Sequence, residues 1–157
     1  MLRFGPEVGL QVPLPARMHR PGVTPPHRDD IKAPVNSSLD AQVTEQNYRY
    51  HDAYLYGFQL YRSGYYWEAH EVWEPVWLKC TPNSMERVLL QACIQLANAA
   101  LKHALGNQKA SGRLYDISSG LIEEILSRQD NDNPEEELLG VDIQDLARQV
   151  RSIVGST

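Results

Sequence analysis

Cysteine is scarce in this chain: Cys80 and Cys93 are the only two among 157 residues. They form no metal-type pair and are too few for a disulfide scaffold, so they read as reduced thiols of a cytoplasmic protein. No apolar run approaches the roughly 18 residues that a membrane span needs, which argues against a membrane partner. The opening Met1-Leu2-Arg3-Phe4-Gly5-Pro6 has no continuous apolar stretch, so a secretory signal is not expected. Alternating strand patterns are nearly absent. An excess of positive charge is missing as well. The formal net charge is −5, which speaks against nucleic acid as the main partner. There is no nucleophile elbow, phosphate-binding glycine loop or Cys–His dyad.

What is present is unevenly distributed. Seven of the ten prolines lie in residues 1–34, and that stretch carries a net charge of +2 against −7 for the remainder. Proline removes backbone donors and fixes φ, so residues 1–37 are expected to form an extended, irregular arm. Residues 38–157 then form a single helical-bundle domain. A basic arm on an acidic body is either a loose tail or a strap that docks on that body or on a neighbouring copy. A homodimer is one arrangement that fits the second reading.

Helical spacing runs through the rest. A first helix is expected from about Ser38 to Arg62, with Asn47, Tyr50, His51, Tyr54, Phe58 and Tyr61 on one face and a stop at Ser63-Gly64. A second runs from about Tyr65 to Lys79 with Pro75 inside it, where a kink or a break is expected. A third, about Met85 to Leu105, is apolar nearly all round and should be central. Its polar exceptions, Arg87, Gln91, Asn98 and Lys102 with Gln95 beside them, make one narrow stripe. Arg87 reads as a solvated helix end. A fourth helix, about Lys109 to Arg128, carries Leu114, Ile117, Leu121 and Ile125. The polar run from Gln129 to Glu137 is broken by Pro134, and Asp142 reads as the N-cap of a last amphipathic helix. The fold class is therefore all-α, an antiparallel bundle of about five helices with short connections.

The second helix holds the most chemistry. Tyr65 to Trp77 contains all three tryptophans and the chain's one mid-helix histidine with acids on both sides. At about 100° per residue, Trp67, His70, Glu71, Glu74 and Trp77 share a face. Indoles favour burial, so the acids between Trp67 and Trp77 are expected to be buried with them. A buried charge is costly unless it is paired, hydrogen-bonded or holding a metal.

With Gly64-x-Tyr66, Glu68-Ala69-His70-Glu71-Val72-x-Glu74-Pro75-x-Trp77-Leu78 and Gln91 in place, the chain resembles the domain-of-unknown-function 309 family of small helical proteins. The resemblance spans about Tyr54 to Val154. It continues through Ile94, Ala97, Gly106, the Leu114 region and Gly140-x-Asp142. It implies an all-helical bundle and brings no established substrate, reaction or cofactor. Gln95 and Asn98 depart from the apolar residues expected at those places, so a site built on them would be particular to this branch.

Three readings of the polar face follow. His70 and Glu74, at i and i+4, can offer two ligands to one divalent metal, with Glu71 as a further ligand or base. His51 and His103 are candidates for a third ligand, although neither lies in a ligand-like motif. Alternatively, Lys102 neutralises one glutamate while Gln91, Gln95 and Asn98 donate to the other. The cluster is then an internal network that needs no cation and lines a small ligand pocket with Trp67 and Trp77. A carboxylate held between indoles also suits acid–base catalysis. The third reading is a partner-binding module without chemistry. Gly57, Gly64, Tyr66, Ala69 and Trp73 have nearly the spacing of a tetratricopeptide hairpin, which implies two antiparallel helices meeting at Ser63-Gly64. The pattern does not recur one period on. No substrate or reaction follows from these residues alone.

Overall fold

The structure, a computed structural model, describes residues 2–7, 12–129 and 137–155. Among them are five α-helices: α1 (Asp52–Arg62), α2 (Tyr66–Lys79), α3 (Met85–Ala104), α4 (Gln108–Gln129) and α5 (Ile143–Gly155). Two 3-10 segments, Ala33–Asp40 and Tyr48–Tyr50, precede α1. Each α-helix packs on the next in chain order, and α3 lies between α2 and α4. Connections of three to five residues make α1 to α4 run antiparallel in turn. The all-α bundle read from the sequence is the fold found.

Helix ends follow local chemistry. Ser84 caps α3 by accepting from the Arg87 amide at 3.1 Å, and Asp142 accepts from the Asp145 amide at 3.0 Å as α5 begins. Gly64 closes the α1–α2 turn in the left-handed region at φ 87°, open to glycine at no steric cost. The apolar circumference of α3 is accounted for: Leu89, Leu90, Ala92, Cys93, Leu96 and Ala97 are fully buried.

Two expectations need correction. The helix expected over residues 38–62 exists only in its second half. Asn47 accepts from the Thr44 amide at 2.7 Å and donates to the Gln42 carbonyl at 2.8 Å. Such side-chain bonds offer the backbone an alternative to helix. His51 then starts α1 afresh: its Nδ1 accepts from the Tyr54 amide at 3.3 Å and its Nε2 donates to the Ala41 carbonyl at 2.8 Å. In the second helix the break expected at Pro75 does not occur; α2 runs unbroken from Tyr66 to Lys79. The polar run read around Pro134 lies mostly at residues 130–136, outside the described residues.

The segment before residue 33 contains no helix or strand among its described residues and lies against α1 and α2. Leu2 and Phe4 are buried in the core, where Phe4 meets the Phe58 and Tyr61 rings edge-on at 5.6 and 5.3 Å. Arg62 donates to the Phe4 and Gly5 carbonyls, and Gln59 to the Val12 carbonyl. No helix among the described residues is long and apolar enough to cross a membrane.

Candidate functional site

The acid that the fold buries completely is Glu68. It occupies the first turn of α2, with Val72 and Val76 following at intervals of four, so it stands on the core-facing side of the helix. The amino end of a helix favours negative charge. Its Oε2 accepts from the His19 amide at 2.6 Å and from His27 Nε2 at 2.6 Å. Its Oε1 is buried with no hydrogen-bond partner. A carboxylate that is only half satisfied in the interior depends heavily on the partners it does have.

Those partners arrive on a loop that is folded on itself. Val23 and Thr24 amides donate to the Arg20 carbonyl, and the Arg20 amide donates to Thr24 Oγ1 at 2.8 Å. Arg17 donates to the Pro25 and Pro26 carbonyls at 2.6 and 2.7 Å. The turn brings His19 and His27 to one side, against α2. Their rings pack on Trp67 with centroids 4.6 and 5.8 Å away.

A cavity of about 360 Å³ opens beside this cluster, with His27 and Tyr56 in its wall together with Leu14, Arg17, Asp29 and Asp30. The Tyr56 hydroxyl donates to the Pro13 carbonyl at 3.0 Å. Burial, and then the negative charge of Glu68, push that phenol up to about 12, so it stays a neutral donor.

The face singled out by its indoles is more open than the sequence suggests. The side chains of His70, Glu71 and Glu74 are 23, 31 and 49 % exposed. The buried indole is Trp73, the tryptophan outside that face; Trp67 and Trp77 are only partly covered. The reason is the facing of the helix: Ala69, Val72, Trp73 and Val76 fill its inner side, which leaves the His70–Glu74 side outward. His70 Nε2 pairs with Glu74 Oε2 at 3.1 Å. His70 Nδ1 stands 3.5 Å from Glu71 Oε1, is not hydrogen-bonded to it, and is buried without a partner. One ligand atom from each of the three residues lies within 4.8 Å of the others.

The stripe on α3 does not complete that cluster. Gln91, Gln95, Asn98 and Lys102 are all partly exposed. Among the described residues none of them bonds to Glu71 or Glu74. His51 is spent as the cap of α1, and His103 is exposed and bonded to Gln108. Arg87 is not a solvated end: it donates to the Cys80 carbonyl at 3.0 Å and stacks over the Trp77 ring at 4.6 Å.

Sequence reasoning thus passed over Glu68, His19 and His27. A signal for the first was available, because Glu68 continues the Val72–Val76 stripe one turn toward the amino end. A larger cleft, about 750 Å³, lies by Tyr48, Arg49, Tyr50 and Asp52, away from Glu68, His27 and the His70–Glu74 cluster.

Residues 54–114 match the model of a family described as Domain of unknown function (DUF309). The match runs from α1 into α4 and includes Glu68, the His70–Glu74 cluster and the α3 stripe. His19 and His27 lie outside it. No curated protein and no solved structure matches the chain.

Proposed function

We propose, for a chain whose residues 54–114 carry this domain of unknown function, a small-ligand binding domain in which the proline-rich segment is a working part. That segment crosses α1 and α2, is fastened at Glu68, and with Tyr56 walls the cavity beside His27. The observation that carries this reading is the pair of 2.6 Å bonds from the His19 amide and His27 Nε2 to a carboxylate with no exposure. In this reading the polar network of α2 centres on Glu68, one turn before the His70–Glu74 face, and ties the helix to His19 and His27.

Amide hydrogen exchange tests it at one atom. The His19 amide should be strongly protected in the wild type and exchange freely in Glu68→Leu, while amides in the middle of α3 keep their protection. Equal His19 exchange in the two proteins would end this reading.

A second reading concerns His70, Glu71 and Glu74, whose ligand atoms converge within 4.8 Å. Two ligands at about 2.1 Å from one zinc ion lie at most about 4.2 Å apart, so small rotations of these half-open side chains would close a site. The bound ion would hold water at its remaining positions. Titration calorimetry with zinc or manganese, repeated on Glu74→Gln, decides it. A heat of one-to-one binding lost in the variant supports the site; the same trace from both proteins removes it.

A further inference from the structure

We propose that His27 is the proton acceptor of a hydrolytic site in the 360 Å³ cavity, oriented by Glu68 and taking small uncharged acyl compounds. The inference rests on the reading of that cavity as a ligand site and adds its chemistry.

The geometry begins with the tautomer. A carboxylate only accepts, so the proton of the His27–Glu68 bond sits on Nε2. In the neutral ring the lone pair then belongs to Nδ1. Among the described residues Nδ1 has no hydrogen-bond partner, and His27 is one of the residues lining the cavity. A buried carboxylate that fixes one nitrogen of an imidazole and leaves the other unpaired, on a residue that lines a cavity, is an arrangement by which a histidine can become a general base. Glu68 has no exposure, and His27 is 12 % exposed, so the pair is held by its surroundings, including the Trp67 ring that both histidine rings contact.

The walls select size and charge. About 360 Å³ lies at the small end of ligand cavities. Arg17 and Arg28 are matched in number by Asp29 and Asp30, and the Arg17 guanidinium is already taken by the Pro25 and Pro26 carbonyls. No net charge is left to attract an ion. Among the described residues the convergent metal-type trio is His70, Glu71 and Glu74, which does not include His27 or Glu68.

The step needs only water. Nδ1 takes a proton from a water molecule as its oxygen bonds to the acyl carbon. The bond from that carbon to the leaving oxygen breaks, and the leaving group departs with the electron pair. The imidazolium then returns its proton to the leaving group or to solvent, and the acid is released. Glu68 keeps its bond to Nε2 and acts as a positioning residue.

The probe is 4-nitrophenyl acetate, with release of 4-nitrophenolate followed by absorbance on the full chain. The wild type should turn over faster than free imidazole at equal concentration. His27→Gln should lower kcat by about 100-fold. Glu68→Gln should lower kcat by at least about tenfold with little change in KM, because the tautomer and not the cavity is altered. His103→Gln, at an exposed histidine, should leave the rate unchanged. Because His27→Gln can disturb folding, Ala16→Trp provides the second arm: it fills the cavity, keeps both His27 and Glu68, and should block turnover. A wild-type rate no higher than imidazole, or full activity in either His27→Gln or Ala16→Trp, overturns the proposal. Inactivity together with a protected His19 amide leaves the fastening at Glu68 intact and removes only the chemistry.

Discussion

Gly57 on α1 and the indole of Trp73 on α2 share one space: a Cβ built on Gly57 would overlap Nε1, Cε2 and Cδ1 of the ring. The same indole donates from Nε1 to the Tyr54 carbonyl at 3.1 Å and packs on Phe58 with centroids 5.0 Å apart. It is fully buried and has nowhere to retreat. In an exposed helix, Gly→Ala gains about 0.5–1 kcal/mol from reduced backbone entropy. Here overpacking reverses the sign. Gly57→Ala should destabilise by about 3 kcal/mol in chemical denaturation. A Gly57→Ala protein as stable as the wild type would mean that α1 and α2 do not approach this closely.

This contact also marks what could be read in advance. The spacing of Gly57, Gly64, Tyr66, Ala69 and Trp73 implied a helical hairpin turning at Ser63-Gly64, and α1 and α2 meet there. The near-continuous apolar character of α3 placed it centrally, and the cap at α5 follows from Asp142. These features depend on neighbours three to seven residues away. The buried acid was harder, because its partners His19 and His27 are 49 and 41 residues distant and obey no period. The indole bracket misled for a related reason. Trp67 is sheltered by the two histidines of the proline-rich segment and Trp77 by Arg87, so neither needs the core. Residues 41–47 failed as helix because Thr44 and Asn47 give the backbone a competing set of bonds.

The Glu68–His27 pair should show its coupling in a double-mutant cycle. With Glu68→Gln, His27→Gln and the double variant, the interaction free energy should be on the order of 2 kcal/mol. Each single change replaces the carboxylate–imidazole bond with a weaker one, whereas the double change leaves two neutral amides that can bond to each other. Strict additivity of the two single effects in urea denaturation would show that the two side chains do not act as a unit.

Arg87 and Trp77 offer a test at the other end of α2. The guanidinium carbon stands over the indole, 4.6 Å from its centroid, while one Nη donates to the Cys80 carbonyl at the end of the helix. Lysine keeps the charge but has neither the plane nor the fork. Arg87→Lys should therefore cost about 1 kcal/mol, close to the cost of Arg87→Ala, and should shift Trp77 fluorescence. Full stability in the lysine variant would assign the contact to charge alone.

High pH should loosen the fold through groups that titrate upward on burial. Burial, followed by the charge of Glu86, pushes the Cys80 thiol from 9.0 up to about 11, against a smaller opposing effect of Arg87. Tyr56 moves from 10.0 to about 12 for the reasons given above. Tyr54, Tyr61 and Cys93 also shift upward, chiefly by desolvation. In each case the unfolded chain loses its proton first. It then binds fewer protons than the folded protein, and stability must fall as pH rises. The contribution is fully present below pH 9, and it is lost across 9 to 11 for Cys80 and across 10 to 12 for Tyr56. The melting temperature should fall steadily from pH 9 upward, and Cys80→Ser should remove the earliest part of that fall. The same burial should leave both thiols unreactive toward a disulfide reagent at pH 8 until denaturant is added. Rapid labelling of the native protein at that pH would show that Cys80 and Cys93 are open to solvent and would take the alkaline argument with it.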